Sequence, residues 1–317
     1  MKPLKPKVAI IGAGNVGSTF AFALMLSGLA REIALIDNNE KKSFGECMDL
    51  NHGLSFTKPA KIYSSGYEGC KDADIVVITA GAAQKPGETR LALIQDNVRI
   101  FKEIIPDILK HVLDPILLVV TNPVDILTYV TFKISGLPAN RVIGSGTVLD
   151  TSRFRYLISE HCSIDPRNVH AYIIGEHGDS ELPVWSLADI GGMPLAQYCS
   201  ICGRKGCDSG NELGRIFDEV KNAAYKIIEA KGATYYAIAL SLVKITEAIL
   251  RDENSVLPVS TLINDYYGVR GICLSVPSIV NGYGVKSYLK LTLSSEEQNA
   301  FKSSAATLKD IINTIKL

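Results

Sequence analysis

Between Lys7 and Asp37 this sequence admits few interpretations. Lys7-Val-Ala-Ile-Ile11 is a β-branched run, and Gly12-Ala13-Gly14-Asn15-Val16-Gly17 is a G-x-G-x-x-G turn. An apolar helical pattern then runs through Leu29, and Glu32-Ile-Ala-Leu-Ile-Asp37 reads as a second strand ending in an acid. That order describes a βαβ unit able to hold a dinucleotide. Gly12 permits the tight turn, Gly14 lets the backbone approach a pyrophosphate, and Gly17 lets the helix pack close on the strand. The first helical N–H groups face the phosphates, where the helix dipole favours negative charge. Asp37, twenty residues past Gly17, can accept both ribose hydroxyls and repels a 2′-phosphate, which selects NAD over NADP. The glycine pattern alone would also fit an ordinary loop; the strand before it, the helix after it and the spaced acid remove that reading.

The alternation continues. Lys41–Leu50 reads as a helix, Ala60–Tyr63 as a short strand, and Asp74–Ala80 as a strand apolar throughout, as expected where both faces are covered. Pro115–Val120 and Val142–Gly144 are two more such runs, with Ile94–Leu109 a helix between the fourth and fifth strands. The expectation is α/β: a doubly wound, six-stranded parallel sheet over residues 1–144, ending near residue 144, with a second α+β domain over residues 145–317. In that second half a helix opens near Asp150, Val169–Ile174 is a strand, and residues 196–210 read as irregular. Helices follow at Leu213–Ala230 and Thr234–Leu250, then strand-like segments over Val256–Lys290 and a last helix from about Ser295.

With 33 basic and 33 acidic residues the net charge is zero, so neither nucleic acid nor an anionic membrane surface is an indicated partner. The longest apolar run, Phe20–Leu26, is too short to span a bilayer, and the start leads straight into the first strand without a signal peptide. Seven scattered cysteines fit a reducing, cytoplasmic setting better than a disulfide scaffold. Cys199-x2-Cys202-x4-Cys207 has no fourth ligand nearby, so no metal is expected there.

Ligands of doubly wound sheets bind beyond the carboxyl ends of the strands, which singles out two loops. Gly81-Ala82-Ala83-Gln84-Lys85-Pro86-Gly87-Glu88-Thr89-Arg90 has the Pro-Gly pair of a turn able to move as a lid. Thr121-Asn122-Pro123-Val124-Asp125 places an amide at a strand end. Reducing a carbonyl with a dinucleotide also requires a proton, and His is the usual carrier near neutral pH. His177 alone among five histidines lies between glycines, where its ring could project into a cleft, although a surface or structural role fits the spacing as well. Asp150 and Arg153 share a helix face. The acid could orient a histidine and the guanidinium could grip a carboxylate, while a solvated ion pair would use the same spacing. Arg90 could stabilise a developing alkoxide, or simply be an exposed arginine at a helix start.

These segments together resemble the L-lactate dehydrogenase family. Gly12–Gly17, the Gln84–Arg90 loop (with Ala83 where the family has Asn), Thr121–Asp125, Asp150–Arg155 and Gly175–Ser180 occur in the family's order. Lys231-Gly-Ala-Thr234-Tyr-Tyr236 and Ser304-Ala-Ala-Thr-Leu-Lys309 are similar too, and the likeness runs from about Val8 to Lys309. The resemblance implies that His177 is the proton donor and acceptor, oriented by Asp150. It implies that Arg153 binds the substrate carboxylate, Arg90 polarises the ketone, and Asn122 bonds the reacting oxygen. Thr234 would line the pocket and Ile238 would pack on the nicotinamide. Gly12, Gly14, Val16, Gly17, Asp37, Lys42, Tyr67, Gly81, Ala82 and Asn122 would contact NAD.

The implied reaction is pyruvate + NADH + H⁺ ⇌ L-lactate + NAD⁺. The sister family, malate dehydrogenase, places an Arg where this sequence has Gln84. A neutral Gln leaves a second carboxylate unpaired in a closing pocket, at a cost on the order of several kcal/mol, although neighbouring Lys85 could compensate in part. Arg155 and His170 match the pair that binds fructose 1,6-bisphosphate between subunits in the allosteric bacterial members, and the family suggests a homotetramer. Malate dehydrogenase is the alternative enzyme. A non-catalytic NAD-binding redox sensor is the alternative class, and it would not need Asp150, Arg153 and His177 together.

Overall fold

The structure, a computed structural model, describes residues 6–82, 90–203 and 210–315, with the side chain of Arg90 left out. Six parallel strands form its centre: β1 (Lys7–Ile11), β2 (Glu32–Ile36), β3 (Lys61–Ser65), β4 (Ile75–Ile78), β5 (Ile116–Val119) and β6 (Val142–Gly144). They lie in the order β3-β2-β1-β4-β5-β6. The connecting helices are α1 (Asn15–Ser27), α2 (Glu40–His52), α3 (Arg90–Leu109) and α4 (Val124–Ser135). Every residue of β1, β4 and β5 is buried, because helices cover both faces of the sheet.

Alternate side chains feed two cores. Ala9, Ile11, Val76, Ile78, Leu117 and Val119 join α3 and α4 on one face. Val8, Ile10, Ile75, Val77, Ile116 and Leu118 join α1 on the other. Fully burying a side chain such as Phe20 or Leu24 of α1 is worth roughly 1.5–3 kcal/mol, so the helix is fixed mainly by this face.

Beyond residue 144 come α5 (Val148–Cys162), β7 (Val169–His170), β8 (Ile173–Ile174), β9 (Leu182–Pro183), β10 (Asp189–Ile190), β11 (Met193–Pro194) and α6 (Leu195–Ile201). They are followed by α7 (Gly210–Lys231), α8 (Tyr236–Leu250), β12 (Ser255–Ile263), β13 (Ile272–Asn281), β14 (Gly284–Tyr288) and α9 (Ser295–Thr314).

The parallel array ends at β6 as expected, but the sheet does not. β12 pairs antiparallel to β6 through Ser260 and Gly144, and β13 and β14 extend it to nine strands. The second half also returns α8 to lie against α1, and α9 to the core beneath α3 and α4.

Two local expectations need correction. The irregular stretch expected over residues 196–210 instead begins inside α6 (Leu195–Ile201), because Leu195 and Cys199 stand one helical turn apart and both enter the small core under α5 and α7. Val169–Ile174 is not one strand. β7 pairs with β10 and β8 with β9, and between them Tyr172 accepts from the Val184 amide while Ala171 accepts from the Arg155 side chain.

Candidate active site

The glycine turn behaves as its residues require. Gly12 sits at φ +106°, and a Cβ there would stand 2.7 Å from the Ala80 nitrogen. A Cβ on Gly17 would fall 1.9 Å from the Gly12 carbonyl oxygen, so only hydrogen lets α1 approach the strand. At Gly14 an added Cβ would meet nothing within 4 Å: the space is open on the side where a ligand would lie. Gly14 is also the N-cap of α1 and offers no side chain to its first amides, leaving them directed outward as a phosphate site requires. Asp37 closes the turn, since its Oδ2 accepts from the Ala13 amide (2.6 Å) and its Oδ1 from Asn39 (2.8 Å).

Val16 and Tyr67 are half-buried, and Lys42 is exposed in the first turn of α2. Gly81 and Ala82 follow β4, where buried Asn97 of α3 accepts from the Ala82 amide (2.7 Å) and donates to the Asn122 carbonyl (3.1 Å). These expected dinucleotide residues thus lie along the carboxyl ends of β1 to β5. The residues fit a dinucleotide through one cradle: an open backbone at Gly14, uncapped amides, and an acid at the end of β2.

Beside that edge lies a cavity of about 440 Å³ lined by Asn122, Asp150, Arg153, His177, Asp179 and Glu181, with Val220, Lys221, Ala224, Tyr225 and Ile228 of α7 as its far wall. The β8–β9 connection carries the histidine. His177 Nδ1 stands 2.5 Å from Asp150 Oδ2, and Asp150 Oδ1 accepts from Arg153 Nη1 at 2.9 Å. The acid in the first turn of α5 is therefore shared by the ring and the guanidinium, as the three-residue spacing predicts.

Burial acts to lower the His177 pKa, but the charge and hydrogen bond of Asp150, with Asp125 and Glu181 behind them, outweigh it and raise it to about 9. Asp150 is only 2% exposed; burial acts to raise its pKa, and His177 and Arg153 hold it below the ordinary carboxylate value. The ring's Nδ1 is thus committed to the acid, while the side chain, 24% exposed, keeps its other nitrogen for a ligand in the cavity.

Several positioning groups were not legible in the sequence. Buried Asp125 accepts from the His177 backbone amide (2.7 Å) and from the Ser260 hydroxyl (2.5 Å), tying the histidine turn to α4 and β12. Burial raises the Asp125 pKa to about 6, opposed by the Ser260 and His177 bonds. Ser304 of α9 accepts from the Glu176 amide (2.8 Å) and lies 3.0 Å from the Ser180 hydroxyl. Such residues have no sequence signal beyond lying in or near the segments that carry the chemistry.

Other expected site residues fall elsewhere. Thr234 and Ile238 are not among the residues that line this cavity, whose outer wall is α7. Gln84, Lys85 and the Arg90 side chain lie outside the described residues, as does Cys207. Cys199 is buried and Cys202 donates to the Cys199 carbonyl (3.3 Å). Arg155 is turned away from the cavity, as expected: its Nε donates to the Ala171 carbonyl (3.0 Å) and its guanidinium lies 5.3 Å from the Tyr172 ring. His170, next to Ala171, is exposed, and its backbone pairs with that of Asp189 between β7 and β10.

Residues 6–144 match the family model for the lactate/malate dehydrogenase NAD binding domain, and residues 147–317 match that for the lactate/malate dehydrogenase alpha/beta C-terminal domain. The chain is 57% identical over 311 residues to the L-lactate dehydrogenase of Acetivibrio thermocellus, covering 98% of each chain. It is 56% identical over 309 residues to L-lactate dehydrogenase 1 of Clostridium acetobutylicum, again with 98% of each covered. Among solved structures, minor L-lactate dehydrogenase from Enterococcus mundtii in a ligands-bound form superposes with a TM-score of 0.95 at 44% identity, covering 99% of both chains.

Proposed function

This chain belongs to the lactate/malate dehydrogenase family, NAD-dependent oxidoreductases of 2-hydroxy acids, and from that premise we propose that it interconverts pyruvate and L-lactate with His177 as proton donor and acceptor. The observation that carries this reading is the Asp150–His177–Arg153 constellation in one cavity beside the dinucleotide edge. In it, residues 1–144 hold the cofactor and residues 145–317 supply the acid–base pair. Bound NADH supplies the hydride, and NAD⁺ accepts it in the reverse direction.

The chain's residues do the rest. Arg153 is held against Asp150 at 2.9 Å and can turn its remaining donors to a substrate carboxylate in the planar, two-bond geometry that guanidinium favours. That fixes the keto carbon relative to His177. The imidazolium then donates its free N–H to the carbonyl oxygen as charge develops there, and Asp150 stabilises the charged ring before transfer and fixes its tautomer. Asn122, on the same wall, gives the reacting oxygen a second donor. Buried Val220 and half-buried Ala224 give the far side of the cavity an apolar lining, which strengthens these interactions. Arg90 is assigned to polarising the ketone and Thr234 to the pocket on the family likeness.

Gln84 favours pyruvate over oxaloacetate, for want of a charge to meet a second carboxylate. Arg155 and His170, which match the family's effector-binding pair, with Arg155 turned away from the cavity and His170 exposed, support fructose 1,6-bisphosphate as an activator. Exposed Phe22 and Leu26 on α1, and Phe44 and Met48 on α2, offer the apolar faces that a homotetramer would cover. A cytoplasmic setting fits the scattered cysteines; among the described residues, no helix is long and apolar enough to cross a membrane.

Steady-state turnover of pyruvate against oxaloacetate, each with and without fructose 1,6-bisphosphate, tests the whole reading. Pyruvate should be preferred by at least about a hundredfold in kcat/KM, equivalent to roughly 2.7 kcal/mol. The bisphosphate should lower the apparent KM for pyruvate. Preference for oxaloacetate would make the enzyme a malate dehydrogenase, and no response to the bisphosphate would remove the activator.

A further inference from the structure

The cavity contains a third carboxyl that the reaction just described does not use. Glu181, four residues past His177, is 7% exposed and lines the cavity. Among the described residues its carboxyl has neither a hydrogen-bond donor nor a cation within ion-pair distance, although the other buried acids of the site, Asp125, Asp150 and Glu176, are all bonded. One ligand atom from each of Asp150, His177 and Glu181 lies within 4.8 Å of the others. A buried carboxylate without partners costs several kcal/mol, so the group has two ways to be tolerated: stay protonated, or face a cation. The nearest cation on α5, Arg153, is engaged with Asp150.

We propose that Glu181 is a positioning residue for substrate charge: in its neutral form it admits the anion of the 2-oxo acid to the cavity, and on losing its proton it expels it. This deepens the assignment of a 2-oxo acid to this cavity and rests on it.

The charges facing Glu181 decide the balance. Asp150 and Arg153 come from α5, His177 and Asp179 from the turn, Lys221 from α7, and Asp125 stands behind His177 on α4. Within the inner cluster, a charged His177, Arg153 and Asp150 leave one net positive charge, which a single substrate carboxylate neutralises. Ionised Glu181 cancels that charge in advance and places a like charge beside the incoming carboxylate. Burial, followed by the charge of Asp150, pushes the Glu181 pKa up to about 8, with His177, Arg153 and Lys221 opposing. The carboxyl is therefore neutral at neutral pH, and the cavity accepts the anion there. Above that range the anion binds together with a proton on Glu181.

The test is the pH dependence of the KM for pyruvate, measured with saturating NADH on the full-length enzyme and on Glu181→Gln. In the wild type, KM should climb about sixteenfold between pH 7.5 and pH 9, about eightfold as Glu181 ionises and about twofold as His177 loses its proton. In Glu181→Gln, which keeps the shape but cannot ionise, the climb should shrink to about twofold, the part contributed by His177. Should the amide variant not fold, as judged by NADH binding, Glu181→Met supplies a second neutral side chain of similar length. Equal climbs in the wild type and a folded neutral variant overturn the proposal while leaving the lactate assignment standing. A wild type that does not turn over pyruvate at any pH overturns the assignment itself.

Discussion

At the scale of single residues, the site is governed by how three ionisable groups divide the cost of burial. Asp150 retains its charge because His177 and Arg153 both contact it, and His177 retains its proton because Asp150 does not lose that charge. The sign of the pH dependence follows. With the His177 pKa raised to about 9, the imidazolium needed for reduction is loaded throughout the neutral range and lost as pH rises through that value. Once the contribution of Glu181 is removed by Glu181→Gln, kcat/KM for pyruvate reduction should fall above about pH 9. Lactate oxidation, which needs the neutral ring, should rise over the same interval. Profiles measured in both directions check this, and parallel profiles would contradict it.

At the scale of elements, the decisive contacts are those that leave no room. Gly17→Ala would drive a methyl group into the Gly12 carbonyl, 1.9 Å away, so α1 must retreat from β1 and carry its uncapped amides with it. Overpacking of this kind costs about 1–3 kcal/mol. Denaturant unfolding should show that loss, and NADH affinity should fall by more than the apo stability change alone would explain.

The same element shows what the sequence could disclose. The strand, glycines, helix and Asp37 are local, each within a few residues of the next, so their geometry follows from spacing. The three-residue step from Asp150 to Arg153 is likewise local and appears as a shared helix face. The groups that hold His177 are not. Asp125 is 52 residues away in the chain, and Ser304 bonds the Glu176 amide across 128 residues. No periodicity reports such pairings; they exist because α4 and α9 meet on one face of the sheet. α6 has no local signature for a related reason: its two buried residues point into a small core that only tertiary packing creates.

At the scale of the whole molecule, the two halves are stitched rather than linked. β12 continues the parallel sheet antiparallel to β6, α8 packs on α1, and Ser260 of β12 reaches Asp125 beneath the histidine turn. The cofactor edge and the acid–base pair therefore share one rigid frame, although the residues that build them lie more than a hundred positions apart. Doubly wound sheets place their ligands at this edge because the strand order reverses there, and the second half brings the chemistry to it.

The central claim is that this frame binds the dinucleotide through its first half and turns over substrate through His177. Measuring NADH affinity and pyruvate turnover side by side on His177→Asn separates the two. Affinity within about twofold of wild type, with turnover reduced roughly 10²–10⁴-fold, is the predicted result. A variant that keeps both affinity and most of its turnover would contradict it.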